Sequence, residues 1–164
     1  MSKTLRPRRS VLYMPGSNAR ALEKGRSLAA DCLILDLEDA VAPDAKETAR
    51  GQIRDALGAG GYGSRELIVR INALDSTWGR DDIAMAASAG ADAILLPKVE
   101  SAEFVHRAAA ALDDAGAPAG LALWCMMETP RGMLHAEEIA SSSPRMEALV
   151  MGTSDLAKDL QAAH

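Results

Sequence analysis

The stretch CLILDLEDAV, Cys32 to Val41, begins apolar and ends acidic. Its first half has the composition of a buried strand. Yet Asp36, Glu38 and Asp39 put three carboxylates within four residues at its end. A carboxylate taken out of water without a partner is costly enough that it picks up a proton instead. Either a cationic group stands beside these acids, or the strand ends in an open, solvated mouth.

The same grammar runs outward in both directions. Short apolar runs read as strands at Arg9–Met14, Cys32–Glu38, Glu66–Asn72, Asp92–Lys98, Leu121–Glu128 and Met146–Gly152. Longer amphipathic segments separate them: GSNARALEKGRSLAA with Asn18 as N-cap, APDAKETARGQIRDAL opened by Pro43 and Asp44, TWGRDDIAMAASAG ending at Gly90, SAEFVHRAAAALDDAG, and a helix from about Arg131 to Ala140. Six strand–helix alternations with continuous apolar strands predict a parallel sheet covered by helices. GAGGYG, Gly58 to Gly63, matches G-x-G-x-x-G. It follows a helix and leads into a strand, the reverse of a dinucleotide fingerprint, so it reads as an αβ loop.

Composition narrows the class. The 164 residues suit one domain, 48% are hydrophobic and only 3% aromatic, so Ala, Leu, Ile, Val and Met must build the core. A net charge of −5 argues against nucleic acid as a partner, the one basic cluster being Arg6, Arg8 and Arg9. Cys32 and Cys125 lie in apolar strands and read as buried reduced thiols. No apolar stretch reaches the roughly 18 residues of a membrane span. No long apolar segment follows the basic start MSKTLRPRRS, so the expectation is a cytoplasmic protein without membrane attachment.

Polar residues collect at the carboxyl ends of the strands. Asp36 and Glu38 share a face by alternation, as do Arg70 and Asn72, while Asp39 points the other way. The fourth strand ends at Lys98, the fifth at Glu128, and the sixth runs into Asp155. A closed (β/α) barrel places its active site on that rim, and an open doubly wound sheet uses a crevice at its switch point. Polar ends on strand after strand suit a ring better. Asp36 and Glu38 would then face Arg70, Lys98 and a bound cation. Glu128 and Asp155 offer oxygen ligands to a hard cation such as Mg²⁺. His106 and His135 lie in helices and His164 is terminal, which is poor placement for zinc.

LYMPGSNARALEKG, LILDLEDAVAPDAKETAR, VRIN, LLPKVES, METPRGM and GTSDLAKDL occur in this order along nearly the whole chain. Together they resemble the citrate lyase β-subunit-like branch of the HpcH/HpaI aldolase family, which includes malyl-CoA and citramalyl-CoA lyases. The resemblance implies a (β/α)₈ TIM-barrel enzyme that uses Mg²⁺, or Mn²⁺ in its place, to cleave or form a C–C bond next to a coenzyme A thioester. The products would be acetyl-CoA and a 2-oxo acid. By position it makes Glu128 and Asp155 metal ligands, Arg70 the arginine on the substrate carboxylate and carbonyl oxygen, and Asp36 and Glu38 the supporting acidic pair. Asn72 and Lys98 join Arg70 in the substrate pocket, and Arg20 and Lys24 approach the CoA phosphates. A homo-oligomer, trimer or hexamer, is implied as well. Lys98 is conceivable as a Schiff-base lysine, but its neighbours fit a metal-enolate route better.

One departure matters. A complete barrel takes about 250 residues, whereas residues 1–164 carry about six of eight βα units. The expectation is a single incomplete barrel, with unpaired edges on its first and sixth strands and no counterpart of the family's C-terminal aspartate. Two other functions stay open: a class II aldolase acting on free 2-oxo acids, and a truncated, non-catalytic subunit that binds metal and acyl group.

Overall fold

Each strand alternates its side chains between a helix-covered face and an inner face, and this alternation organises the whole structure. The structure, a computed structural model, describes residues 6–163. The first half of the basic start and His164 lie outside the described residues. The elements run β1 (Val11–Pro15), α1 (Ala19–Gly25), β2 (Cys32–Asp36), a 3₁₀ turn (Pro43–Ala45) leading into α2 (Lys46–Ala59), β3 (Glu66–Arg70), α3 (Gly79–Ala89) and β4 (Ala93–Leu96). They continue with α4 (Ala102–Asp114), β5 (Ala122–Met127), α5 (Pro130–Leu134), α6 (Ala136–Ser141), β6 (Met146–Met151) and α7 (Thr153–Asp159).

Local chemistry starts the helices where the sequence places them. The Asn18 side chain accepts from the Ala21 N–H, Ser101 from Phe104 and Thr129 from Gly132. Each such cap satisfies an orphan donor and contributes about 1 kcal/mol. The GAGGYG segment is the expected αβ loop between α2 and β3, with Gly60, Gly61 and Gly63 at φ +65°, +86° and +65°.

The six strands pair in parallel, in the order β1-β2-β3-β4-β5-β6. Chain order without reversal decides between the two architectures that the sequence left open. A doubly wound sheet reverses its order at a switch point, whereas a barrel adds strands in sequence. The chain thus folds as six βα units of a TIM-barrel type. Among the described residues, β1 and β6 each have one strand neighbour, as expected.

On the helix side, Leu33, Leu35, Leu37, Val69, Ile71, Ile94, Leu96 and Leu123 pack against Leu22, Ile53, Ile83, Val105 and Leu112. The inner face carries a second core of Cys32, Ile34, Ile68, Ala93, Leu95, Ala122, Trp124 and Met126. Two apolar faces per strand explain the continuous apolar runs. Cys32 and Cys125 are buried and free, one on each face.

At the amino ends of the strands, Arg8 of the basic cluster bridges two carboxylates. Arg8 grips Glu66 with two bonds of 2.7 and 2.6 Å, reaches Glu147 at 2.5 Å and lies 4.8 Å from the Trp124 ring centroid. Two further details differ from expectation. The segment Arg131–Ala140 forms two short helices that meet at His135, and β6 is followed by a helix, α7, not anticipated from the sequence.

Candidate active site at the carboxyl-terminal rim

In-register pairing sets Asp36 of β2 directly beside Arg70 of β3. Both side chains point inward, and the guanidinium fork closes on the carboxylate, Nε to Oδ1 at 2.7 Å and Nη2 to Oδ2 at 2.6 Å. The side chains are 9% and 1% exposed, so the pair is nearly dry. Asp36 also accepts from the backbone N–H groups of Glu38 (2.8 Å) and Ala40 (3.2 Å). Arg70 is the cation that the acidic end of CLILDLEDAV requires.

This pairing commits two of the three Arg70 nitrogens, Nε and Nη2, to Asp36. Nη1 remains, 3.1 Å from Glu38 Oε2 and 3.9 Å from Asp39 Oδ2, with the Tyr13 ring centroid 5.1 Å from Cζ. Asp39 is an exposed turn residue, its side chain 60% exposed. It stands at the lip of the cleft and does not point away from it, because β2 ends at Asp36 and alternation no longer applies beyond it. Tyr13, an inward residue of β1, was missed; its hydroxyl donates to Met126 Sδ at 3.3 Å. The signal available in the sequence was its strand parity.

Lys98 ties the rim together. Its Nζ lies 3.2 Å from Glu38 Oε1 and 3.4 Å from Asp155 Oδ2, while its backbone N–H donates to Glu128 Oε1 at 2.8 Å. Lys98 adopts φ +49°, the left-handed region that non-glycine residues seldom occupy. Glu128, at the end of β5, is 2% exposed. Its side chain lies so close over Gly152 that a Cβ there would sit 2.5 Å from Glu128 Cβ. Asp155 stands in the first turn of α7, not on the strand itself. Glu128 and Asp155 line a cleft of about 390 Å³ with Lys98, Thr129 and Asp39, which adjoins a second opening walled by Tyr13 and Arg70.

The electrostatics follow from burial. Burial works against the Arg70 charge, but its hydrogen bonds to Asp36 outweigh this and raise its pKa. Burial pushes the Glu38 and Glu128 carboxyls above their ordinary range, against the opposing pull of Arg70 on Glu38 and of the Lys98 N–H on Glu128. Burial works against the Lys98 charge too, yet Glu38 raises its pKa overall. Asp36, Glu38, Asp39, Glu128 and Asp155 set five carboxylates against two cations, Arg70 and Lys98. Lys158 and Asp159 at the outer lip cancel. The rim is short of positive charge.

Of the residues anticipated from sequence, Asp36, Glu38, Arg70, Lys98, Glu128 and Asp155 come together. Asn72 does not line the cleft. Its Nδ2 donates to Asp82 (2.7 Å) and its Oδ1 accepts from Lys46 Nζ (2.7 Å), which commits the amide to a buried network behind the rim. Arg20 and Lys24 are exposed on α1, outside the residues that line the cleft. Among the described residues no group of three or more His, Cys, Asp or Glu side chains is arranged to hold a metal.

Comparison with known proteins identifies the family and the fold. The HpcH/HpaI aldolase/citrate lyase family model matches residues 9–164. A (3S)-malyl-CoA thioesterase of Cereibacter sphaeroides is 52% identical over 98% of this chain and 54% of its own length. An L-malyl-CoA/β-methylmalyl-CoA lyase of the same species is 41% identical over 94% of this chain and 51% of its own. The citrate lyase β subunit of Mycobacterium tuberculosis, solved with oxaloacetate and magnesium, superposes with a TM-score of 0.76 at 30% identity, over 96% of this chain and 65% of that one. The chain spans about half the length of the curated relatives it matches. By fold and sequence it belongs to the HpcH/HpaI aldolase/citrate lyase family.

Proposed function

We propose that this chain carries the core of the active site of a Mg²⁺-dependent lyase that splits a 3-hydroxyacyl-CoA, such as malyl-CoA or citramalyl-CoA, into acetyl-CoA and a 2-oxo acid. The observation that carries the reading is the convergence of Glu128 and Asp155 with the Asp36-anchored Arg70 on one rim. The residues fit a hard divalent cation. Glu128 is buried, Oε1 takes the Lys98 N–H, and Oε2 accepts no hydrogen bond from the described residues. Asp155 stands beside it, and the surplus of carboxylates calls for a cation. Two carboxylates are the usual protein share for Mg²⁺, which fills its shell with water and substrate oxygens.

When bound, the metal would polarise the carbonyl of the 2-oxo acid and stabilise negative charge as a Lewis acid. The chain's own residues supply the rest. Asp36 locks the Arg70 fork, so that Nη1 stands as a fixed donor where charge develops on the substrate oxygen. Glu38, whose burial makes it readier to hold a proton, receives the proton of the substrate hydroxyl as the C–C bond breaks. The bonding pair passes to the thioester enolate, which takes a proton at carbon to become acetyl-CoA. Lys98 orders Glu38 and Asp155. Arg20 and Lys24 offer exposed positive charge to the CoA phosphates. Coenzyme A is thus substrate, and the protein works in the cytoplasm, where its two free thiols stay reduced. Among the described residues, no helix is long and apolar enough to cross a membrane. The edges of β1 and β6, with Leu12 and Tyr13 39% and 41% exposed and Leu149 and Met151 40% and 51%, are covered in the working enzyme. Further strands or another copy would do so, in keeping with a homo-oligomer.

Thioester hydrolysis is the second reading, favoured by the 52% identity to a malyl-CoA thioesterase. The same carboxylates could direct water onto the thioester carbonyl. Malyl-CoA with Mg²⁺ separates the two: a lyase releases glyoxylate without free thiol, and a thioesterase releases free thiol and malate without glyoxylate. Absence of both cleavage and hydrolysis, with malyl-CoA and with citramalyl-CoA alike, in the full-length protein would refute both readings. Arg70→Lys should lose roughly 100-fold or more in kcat, because a point charge cannot hold Asp36 with a fork and still donate. Unchanged turnover would remove Arg70 from the mechanism.

A further inference from the structure

We propose that Lys46 is a positioning residue of this site, a tripod that clamps the turn after β2 and thereby aims Glu38 at Arg70 and Lys98. The proposal rests on the reading of the rim as the active site. Lys46 opens α2 and is only 6% exposed. Its ammonium donates to Leu37 O (2.8 Å), Glu38 O (2.8 Å) and Asn72 Oδ1 (2.7 Å). An ammonium has three donors, so none remains for a substrate. Among the described residues, no carboxylate lies within ion-pair distance of it; a neutral side chain would fill the space at lower cost. A buried charge satisfied by two consecutive carbonyls is a device for holding backbone.

The turn it holds is the one that matters. The Glu38 and Ala40 N–H groups are taken by the Asp36 carboxylate, and the Leu37 and Glu38 carbonyls by Lys46. The backbone beneath the Glu38 carboxylate is gripped from both sides. Lys46 is itself anchored. Asn72 gives both its backbone and side-chain N–H to Asp82 Oδ2 (3.0 and 2.7 Å), and Asp82 Oδ1 accepts from Arg50 Nε at 2.8 Å. The ends of β2 and β3 are thus tied to α2 and α3 through buried hydrogen bonds. This gives Asn72 its role, and it explains why an amide with inward parity is absent from the cleft.

The test compares Lys46→Met, Lys46→Arg, Glu38→Gln and the double variant Lys46→Met/Glu38→Gln in the full-length protein. Turnover of malyl-CoA with Mg²⁺ and hydrogen exchange at residues 37–41 are the readouts. Lys46→Met should lower kcat roughly 100-fold, the penalty of a misplacement of about 1 Å, with KM changed by less than about threefold. The double variant should be no slower than Glu38→Gln, because Lys46 acts through Glu38. Lys46→Arg keeps the charge but replaces the tripod by a planar fork, so it should resemble Lys46→Met, and it decides the matter if Lys46→Met does not fold. Multiplying defects in the double variant, or full activity in Lys46→Arg, would overturn the proposal. If the wild type turns over neither malyl-CoA nor citramalyl-CoA, the functional reading fails and exchange still judges the clamp. Faster exchange confined to residues 37–41 supports it, and unchanged or global exchange sinks it.

Discussion

Replacing Asp36 by Asn tests the electrostatic logic of the site most directly. The carboxylate is 1% exposed and accepts four hydrogen bonds, two from Arg70 and two from backbone N–H groups. An amide of the same shape offers one accepting oxygen. Whichever way it turns, its NH₂ meets the guanidinium or the turn amides, donor against donor. Hydrogen bonds to charged groups contribute about 1.5–3 kcal/mol each. Breaking a buried pair by removing one partner costs about 3–5 kcal/mol. Glu38, 3.1 Å from Nη1, and the Tyr13 ring retain part of the stabilisation of the Arg70 charge. The expected loss is therefore near the lower bound, about 3 kcal/mol, a large share of the stability of an ordinary domain. Urea unfolding followed by circular dichroism measures it, with Arg70→Met as the companion. In that variant Asp36 keeps its two backbone donors, so the loss should be smaller than for Asp36→Asn. A cost below about 1 kcal/mol for Asp36→Asn, or the reverse order, would refute the argument.

Gly152→Ala would place a Cβ 2.5 Å from Glu128 Cβ and 2.8 Å from its Oε2. Calorimetric Mg²⁺ affinity should fall about tenfold or more, the effect of disturbing the groups that orient a ligand; an unaltered affinity would separate Glu128 from the metal. Burial raises the Glu128 pKa above its ordinary 4.5. The folded state therefore binds the proton more tightly than the unfolded one, and this contribution is present below pH 4.5 and lost as pH rises through the folded pKa. In chelator, Glu128→Gln should lack that decline and be at least as stable as wild type at pH 7; a marked loss at pH 7 would contradict it. Burial pushes the Cys32 thiol up to about 11, with Glu66 adding to it, and the Cys125 thiol up to about 12. Neither should react with a disulfide reagent at pH 8 until urea is added, and a fast-reacting thiol in the folded protein would count against this packing.

Much of this was legible because strand and helix periodicities are local. Side-chain alternation set Asp36 and Arg70 inward on their strands, and Asn18 revealed a helix start by its type and place. The carboxyl-terminal clustering of charge needed only the strand boundaries. The remainder depended on what meets what across the sheet. Sequential pairing without reversal is a property of how loops return, and no strand encodes it alone. Parity ends where a strand ends, so Asp39 turned toward the cleft and Asn72 away from it, the amide held by Lys46 and Asp82. Asp155 needed the turn into α7, which the apolar pattern does not announce. The Arg70 fork met its carboxylate only because in-register pairing put Asp36 across from it. Arg8, one of three clustered arginines in sequence, became a tie between strands only because β3, β5 and β6 bring Glu66, Trp124 and Glu147 around it. The sequence by itself determined which side chains could carry charge to the rim. Only the tertiary structure decided which charges neutralise one another and which remain for a ligand, because that choice is made by distances of a few ångströms between segments far apart in the chain.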